Sequence, residues 1–134
     1  MDSSKTRFSI KNPYDNYIYK FPYFFALELK STKSKSIAFS TEDNKSQIKK
    51  CQIEGLTRAS EYKGIIAGFV FNFREQESTY FLDIRNFNIF VKATNKKSIN
   101  IKDVVEYGAV LIPQKLKVVK YTYDLSVIFD MIGD

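Results

Sequence analysis

Residues 24–30 read Phe-Phe-Ala-Leu-Glu-Leu-Lys, and the reading of this heptad decides the fold. Taken as a strand, its two-residue period sends Phe24, Ala26, Glu28 and Lys30 to one face and Phe25, Leu27 and Leu29 to the other. A segment built for burial thus ends in a carboxylate and an ammonium lying side by side, at an exit expected to be open to solvent. An ordinary ion pair at a strand end has the same pattern, so the Glu-x-Lys triplet does not decide its own role.

The upstream residues add to it. NPYD (12–15) is a turn, and Asp15 stands 13 residues before Glu28. That interval fits one hairpin: a strand NYIYK (16–20), a break at Phe21-Pro22, and 24–30 returning antiparallel. Such a hairpin brings Asp15 level with the exit of the second strand. Two carboxylates at one spot repel unless a cation sits between them. Mg²⁺ takes oxygen ligands and keeps several waters, so Asp15, Glu28 and the main-chain carbonyl of Leu29 form a suitable donor set, with Mn²⁺ as a substitute. Lys30 beside that ion would orient or deprotonate a water, or offset charge developing on a phosphodiester.

Downstream, STKSKS (31–36) is a polar turn and IAF (37–39) a short strand. Ser40 with Asp43 resembles a helix start. Ile48, Cys51, Leu56 and Ala59 then recur on one face, so the expectation is an amphipathic helix over 41–62 ended near Gly64, with Cys51 a small core residue. GIIAGFVFNF (64–73) is apolar on both faces, as a central strand requires. REQES is a hairpin loop and TYFLDI (79–84) the returning strand. Short helices are expected at 86–94 and over 99–108, the latter capped by Asn100. AVLI (109–112) and VKYTYD (119–124) close the sheet, with a helical turn from Leu125; RFSI (7–10) is a further short strand. This is an α/β pattern, a mixed β-sheet flanked by helices, in a single domain spanning residues 1–134.

Composition narrows the chemistry. The 134 residues include no histidine and one cysteine, which removes Ser-His-Asp and Cys-His catalysis, HExxH zinc sites and any internal disulfide. No phosphate-binding glycine loop of the GxGxxG or GxxxxGK[ST] type occurs. Carboxylates, lysines, arginines, hydroxyls and a hard metal ion remain. The formal net charge is +6 and the pI about 9.3, which suits a polyanionic partner and equally a generic solubility charge. The longest apolar run, Gly64 to Phe71, is too short to span a bilayer, and the N-terminus MDSSKTRFSIK lacks a signal-peptide core. A soluble protein with no membrane partner, in the reducing cytoplasm of a bacterium, is expected.

The Pro-x-Asp … Glu-x-Lys arrangement resembles the PD-(D/E)xK, or restriction-endonuclease-like, nucleases. ALELKSTKSKSIAFS, SQIKKCQIEGLTRASEYKGIIAGFVFNFR, TYFLDIRNF and NKKSINIKDVVEYG are similar, in that order, to the RecU family of Holliday-junction resolvases, most of all to its short phage and prophage forms. The likeness runs from Arg7 to about Asp124. It implies a restriction-endonuclease-like fold and a catalytic set of Asp15, Glu28 and Lys30. The family's polar helix residue falls on Gln47, for which a solvated helix position is the alternative. It also implies branched or double-stranded DNA as substrate and a homodimer, since two symmetric nicks need two sites.

Two departures stand against the pattern. The family's N-terminal helix is expected to be missing, and there is no room for the stalk-like insertion of larger members. A non-cleaving protein on the same fold, binding nucleic acid or a partner and encoded by a phage, is therefore the second reading. For the DNA itself, Ser31, Thr32, Lys33, Lys35 and Lys20 suit phosphate oxygens, a solvated turn being the alternative for 31–36. Lys45, Lys49 and Lys50 would extend that surface, and Tyr17 and Tyr19 serve either base stacking or the core.

Overall fold

The computed structural model describes residues 16–20, 23–117 and 120–123. Asp15, the RFSI segment, the NPYD and Phe21-Pro22 turns and the helical turn from Leu125 lie outside these.

The hairpin forms as its spacing requires. Strands β1 (Asn16–Lys20) and β2 (Tyr23–Thr32) pair antiparallel, from Lys20 opposite Tyr23 to Asn16 opposite Leu27. After β2 come β3 (Ser36–Ala38), helix α1 (Lys50–Ser60) and β4 (Ile65–Phe73). β4 lies parallel beside β2, with Glu28 opposite Phe69 and Lys30 opposite Phe71. β5 (Ser78–Asp83) returns antiparallel on the other flank of β4, followed by helix α2 (Ile84–Ala93). A short β6 (Ser98–Asn100), helix α3 (Ile101–Glu106) and edge strand β7 (Val110–Ile112) complete the sheet. Its strand order is β1-β2-β4-β5-β7; β3 pairs with β6, and β8 (Gln114–Lys117) with β9 (Lys120–Tyr123), as separate two-stranded ribbons. This is the mixed, helix-flanked sheet of a restriction-endonuclease-like α/β fold.

The continuous apolar reading of 64–73 has a direct cause: β4 is the middle strand and buries both faces. Phe69, Phe71 and Phe73 face the helical layer, where they meet Ile53, Leu56 and Ala59 of α1 and Phe87 and Phe90 of α2. The rings of Phe69 and Phe71 stack at 5.3 Å, and Phe69 meets Phe87 at 4.9 Å. Val70 points the other way, into a smaller cluster with Phe25, Leu27, Phe81 and Ile112. Between them Gly68 lies so close to β5 that a Cβ there would overlap the main-chain oxygen of Leu82.

Helix α1 departs from expectation: it spans 50–60, not 41–62. Polar side chains in the intended first turns satisfy the backbone in other ways. Ser40 Oγ accepts from the amides of Glu42 and Asp43, Asp43 Oδ1 from Lys45 N–H, and Asn44 Oδ1 from Cys51 N–H. Side chains of this type compete with helical main-chain bonds and hold turns instead. Ile48 is buried through a bridge to Phe39 and not along a helix face. The shifted helix start leaves Cys51 exposed, so it is no core residue. Asn100 does cap α3, exchanging hydrogen bonds with Asp103 in both directions.

Asp83 caps α2. Its carboxylate is buried, accepts Arg85 N–H at 2.8 Å and binds the Arg85 guanidinium at 3.0 and 2.8 Å. Hydrogen bonding and charge from Asp83 push the Arg85 pKa up, against a smaller opposing effect of burial. Asp83→Ala is expected to lower unfolding free energy by about 1–2 kcal/mol, as loss of an N-cap does. Asp83→Asn, which keeps an acceptor oxygen for Arg85 N–H, should recover most of that in urea denaturation.

Candidate active site

β2 carries Glu28 and Lys30 two residues apart, so both side chains leave the sheet toward the layer that holds α1. Lys30 Nζ lies 3.5 Å from Glu28 Oε2. The pair was expected to be open to solvent; instead Glu28 is only 2% exposed. Burial of a carboxylate is costly unless donors surround it. Here α1 supplies one: Gln52 Nε2 donates to Glu28 Oε2 at 2.8 Å. The amide and the ammonium thus meet the same carboxylate oxygen.

Gln52 is fixed at its other end too, because its Oε1 accepts the Lys49 N–H at 2.9 Å at the start of the helix. The hairpin register places the first described residue of β1, Asn16, opposite Leu27. Within the described residues β2 therefore carries Glu28 and Lys30 past the end of β1, supported on its other side by β4. Asp15 precedes Asn16 directly in sequence and lies outside the described residues. Among the described residues no cluster of three Asp, Glu, Cys or His side chains forms a ready metal site.

The remaining sequence candidates separate. Leu29 lies between the charged pair on β2 and is 42% exposed. Gln47 is exposed and its Nε2 makes a long 3.5 Å bond to the Ser31 carbonyl, so it stands at the strand exit but off Glu28. Ser31 Oγ is met by Asn72 Nδ2 at 3.4 Å. Thr32 is buried, and its hydroxyl accepts from Ser34 N–H at 3.0 Å, which shapes the turn. Lys33 and Lys35 project outward from that turn, and Lys45 and Lys49 are exposed near the start of α1. Lys20 pairs with Tyr23 in the hairpin register, roughly 16 Å of strand away from Glu28.

Gln52 escaped the sequence reading. A helix beginning at 41 places it in mid-helix with nothing to cap. Its single signal, a glutamine at the third helical position in the manner of a capping box, exists only once the helix starts at Lys50.

The family model of recombination protein U, RecU, matches residues 14–126. The chain is also 40% identical, over 129 aligned residues, to the SPbeta prophage-derived uncharacterized protein YotM of Bacillus subtilis (strain 168). That alignment covers 87% of this chain and 64% of the relative, so the chain spans a little under two thirds of that protein's length. No helix among the described residues is long and apolar enough to cross a membrane.

Proposed function

The chain belongs to the RecU family, and from that premise we propose that it is a divalent-metal-dependent endonuclease that cuts branched DNA such as Holliday junctions. The observation that supports this reading is a buried carboxylate, Glu28, kept beside an ammonium at the end of a strand anchored in the core. A purely structural ion pair has little reason to pair a 2%-exposed acid with a lysine at 3.5 Å and then add a glutamine from another element.

In this reading Asp15, Glu28 and the Leu29 carbonyl would hold Mg²⁺, or Mn²⁺ in its place. The donors suit it: they are hard oxygens, two of them anionic, with no soft ligand among them. Such an ion, when bound, acidifies water and offsets negative charge on the phosphodiester. The protein's own contribution is positional. The core strand holds Glu28 rigidly, and burial strengthens its electrostatic effect on anything placed beside it. Lys30 supplies a proton donor and a positive charge for the attacked phosphate or the attacking water. Exposed Lys33, Lys35, Lys45 and Lys49, with Ser31, would engage phosphates and so favour DNA form over sequence. A two-fold homodimer would present two such sites to a four-way junction.

The test is incubation of a labelled four-way junction with the protein and Mg²⁺, beside an Asp15→Asn control. Paired nicks lost in the control support the proposal. Binding with no nicking in either sample overturns it and assigns a non-cleaving binding protein.

Binding should weaken steeply with salt, because each phosphate neutralised releases counterions. Lys33→Ala with Lys35→Ala is expected to reduce the slope of log K against log salt by about 2, one unit for each lysine removed from a phosphate. An unchanged slope in a salt-titrated anisotropy series would remove this turn from the DNA surface.

A further inference from the structure

Asn72 interrupts the apolar run of β4, the middle strand of the sheet, although asparagine is depleted in strands. Its neighbours in the ladder are Ser31 on β2 and Thr79 on β5. The three side chains form a row across the sheet. Thr79 Oγ1 donates to Asn72 Oδ1 at 3.3 Å, and Asn72 Nδ2 donates to Ser31 Oγ at 3.4 Å. The carboxamide fixes the sense of both bonds, because its oxygen only accepts and its nitrogen only donates. The row therefore runs one way, from Thr79, which is 0% exposed, to the exposed Ser31. With its oxygen accepting from Asn72, the Ser31 hydroxyl must turn its own proton away from Asn72.

A hydroxyl held as a donor at an exposed strand end suits a ligand that only accepts, such as a phosphate oxygen. Strand alternation sends Ser31 to the face opposite Lys30, so the phosphate it meets is not the one beside Glu28. We infer that Asn72 is a positioning residue for DNA binding, which holds the Ser31 hydroxyl as a donor to a phosphate outside the cleaved bond. This deepens the proposed function and rests on its DNA-binding part alone. The simpler alternative is that Asn72 only satisfies the buried Thr79 hydroxyl, which would otherwise cost stability.

The two roles separate in Asn72→Leu combined with Thr79→Val. The pair removes both hydrogen bonds and leaves no unsatisfied hydroxyl at position 79, so folding is largely kept. The probe is a fluorescent four-way junction, titrated by anisotropy without divalent metal. Ser31→Ala is expected to weaken binding by about tenfold, the worth of a hydrogen bond to a charged group. The paired variant should weaken it by about threefold, because a released hydroxyl has three staggered directions and one meets the phosphate. In a Ser31→Ala background the same pair should change nothing further, since Asn72 acts through Ser31.

Binding by Ser31→Ala equal to wild type overturns the inference. So does a paired variant that binds like wild type, or one whose loss persists without the Ser31 hydroxyl. Because this readout needs no cleavage, it also separates the two failures. Coupled losses in a protein that never nicks DNA leave the positioning role standing and discard the nuclease. Uncoupled losses in a protein that does nick discard the positioning role alone.

Discussion

Glu28→Gln protein is expected to bind junction DNA at least as well as wild type and to cleave it at least ~10³-fold more slowly, about 4 kcal/mol of barrier. The substitution keeps the volume of the side chain and leaves an oxygen for Gln52 to donate to. What it removes is the negative charge at the end of β2. If that charge holds the divalent ion, chemistry fails while the phosphate-facing lysines remain untouched. Stability falls as well, because the Lys30 ammonium, with its side chain 15% exposed, stays charged without its carboxylate, but the variant is expected to remain folded at the assay temperature. Single-turnover cleavage alongside a thermal melt checks both halves. A cleavage rate within tenfold of wild type would show that Glu28 is not part of the reaction.

Gly68→Ala should have the largest effect on stability of any one-methyl change in the described residues. Gly68 pairs with Asp83 across the ladder between β4 and β5. An added Cβ would overlap the Leu82 main-chain oxygen, sit 2.9 Å from the Phe81 ring and lie 3.0 Å from the Asp83 Cα. Two of those neighbours are backbone, so no rotamer change relieves the clash, and β4 is held by β2 on its other side. Overpacking against such a wall costs about 3 kcal/mol, a fall in melting temperature of roughly 10 °C for a domain of this size. Because Glu28 is opposite Phe69, the residue next to Gly68, the strain would reach the site as well. A midpoint within about 2–3 °C of wild type would mean that β5 slides freely, contrary to this packing.

The parts of the molecule legible in the sequence are those governed by period and turn chemistry. Alternation in 24–30 put Glu28 and Lys30 on one face, and an unbroken apolar run marked β4 as central. The thirteen-residue interval described the hairpin, whose described register ends one residue short of Glu28. The start of α1 was not legible. Ser40, Asp43 and Asn44 read equally well as helix caps and as turn holders, and only the tertiary bridge between Phe39 and Ile48 chooses between them. That one choice hid Gln52 from view and made Cys51 look interior. The burial of Glu28 was hidden for a related reason, since the cover comes from α1, across 24 residues of chain.

The placement of Cys51 has a practical consequence. It is the chain's one thiol, it is exposed, and it precedes Gln52 directly. A nitroxide or fluorophore can thus be attached one residue from Gln52, in the first turn of α1, with no cysteine to remove elsewhere. From that position a label would report ion uptake by paramagnetic broadening, and the span between two copies by dipolar spectroscopy, in otherwise native protein.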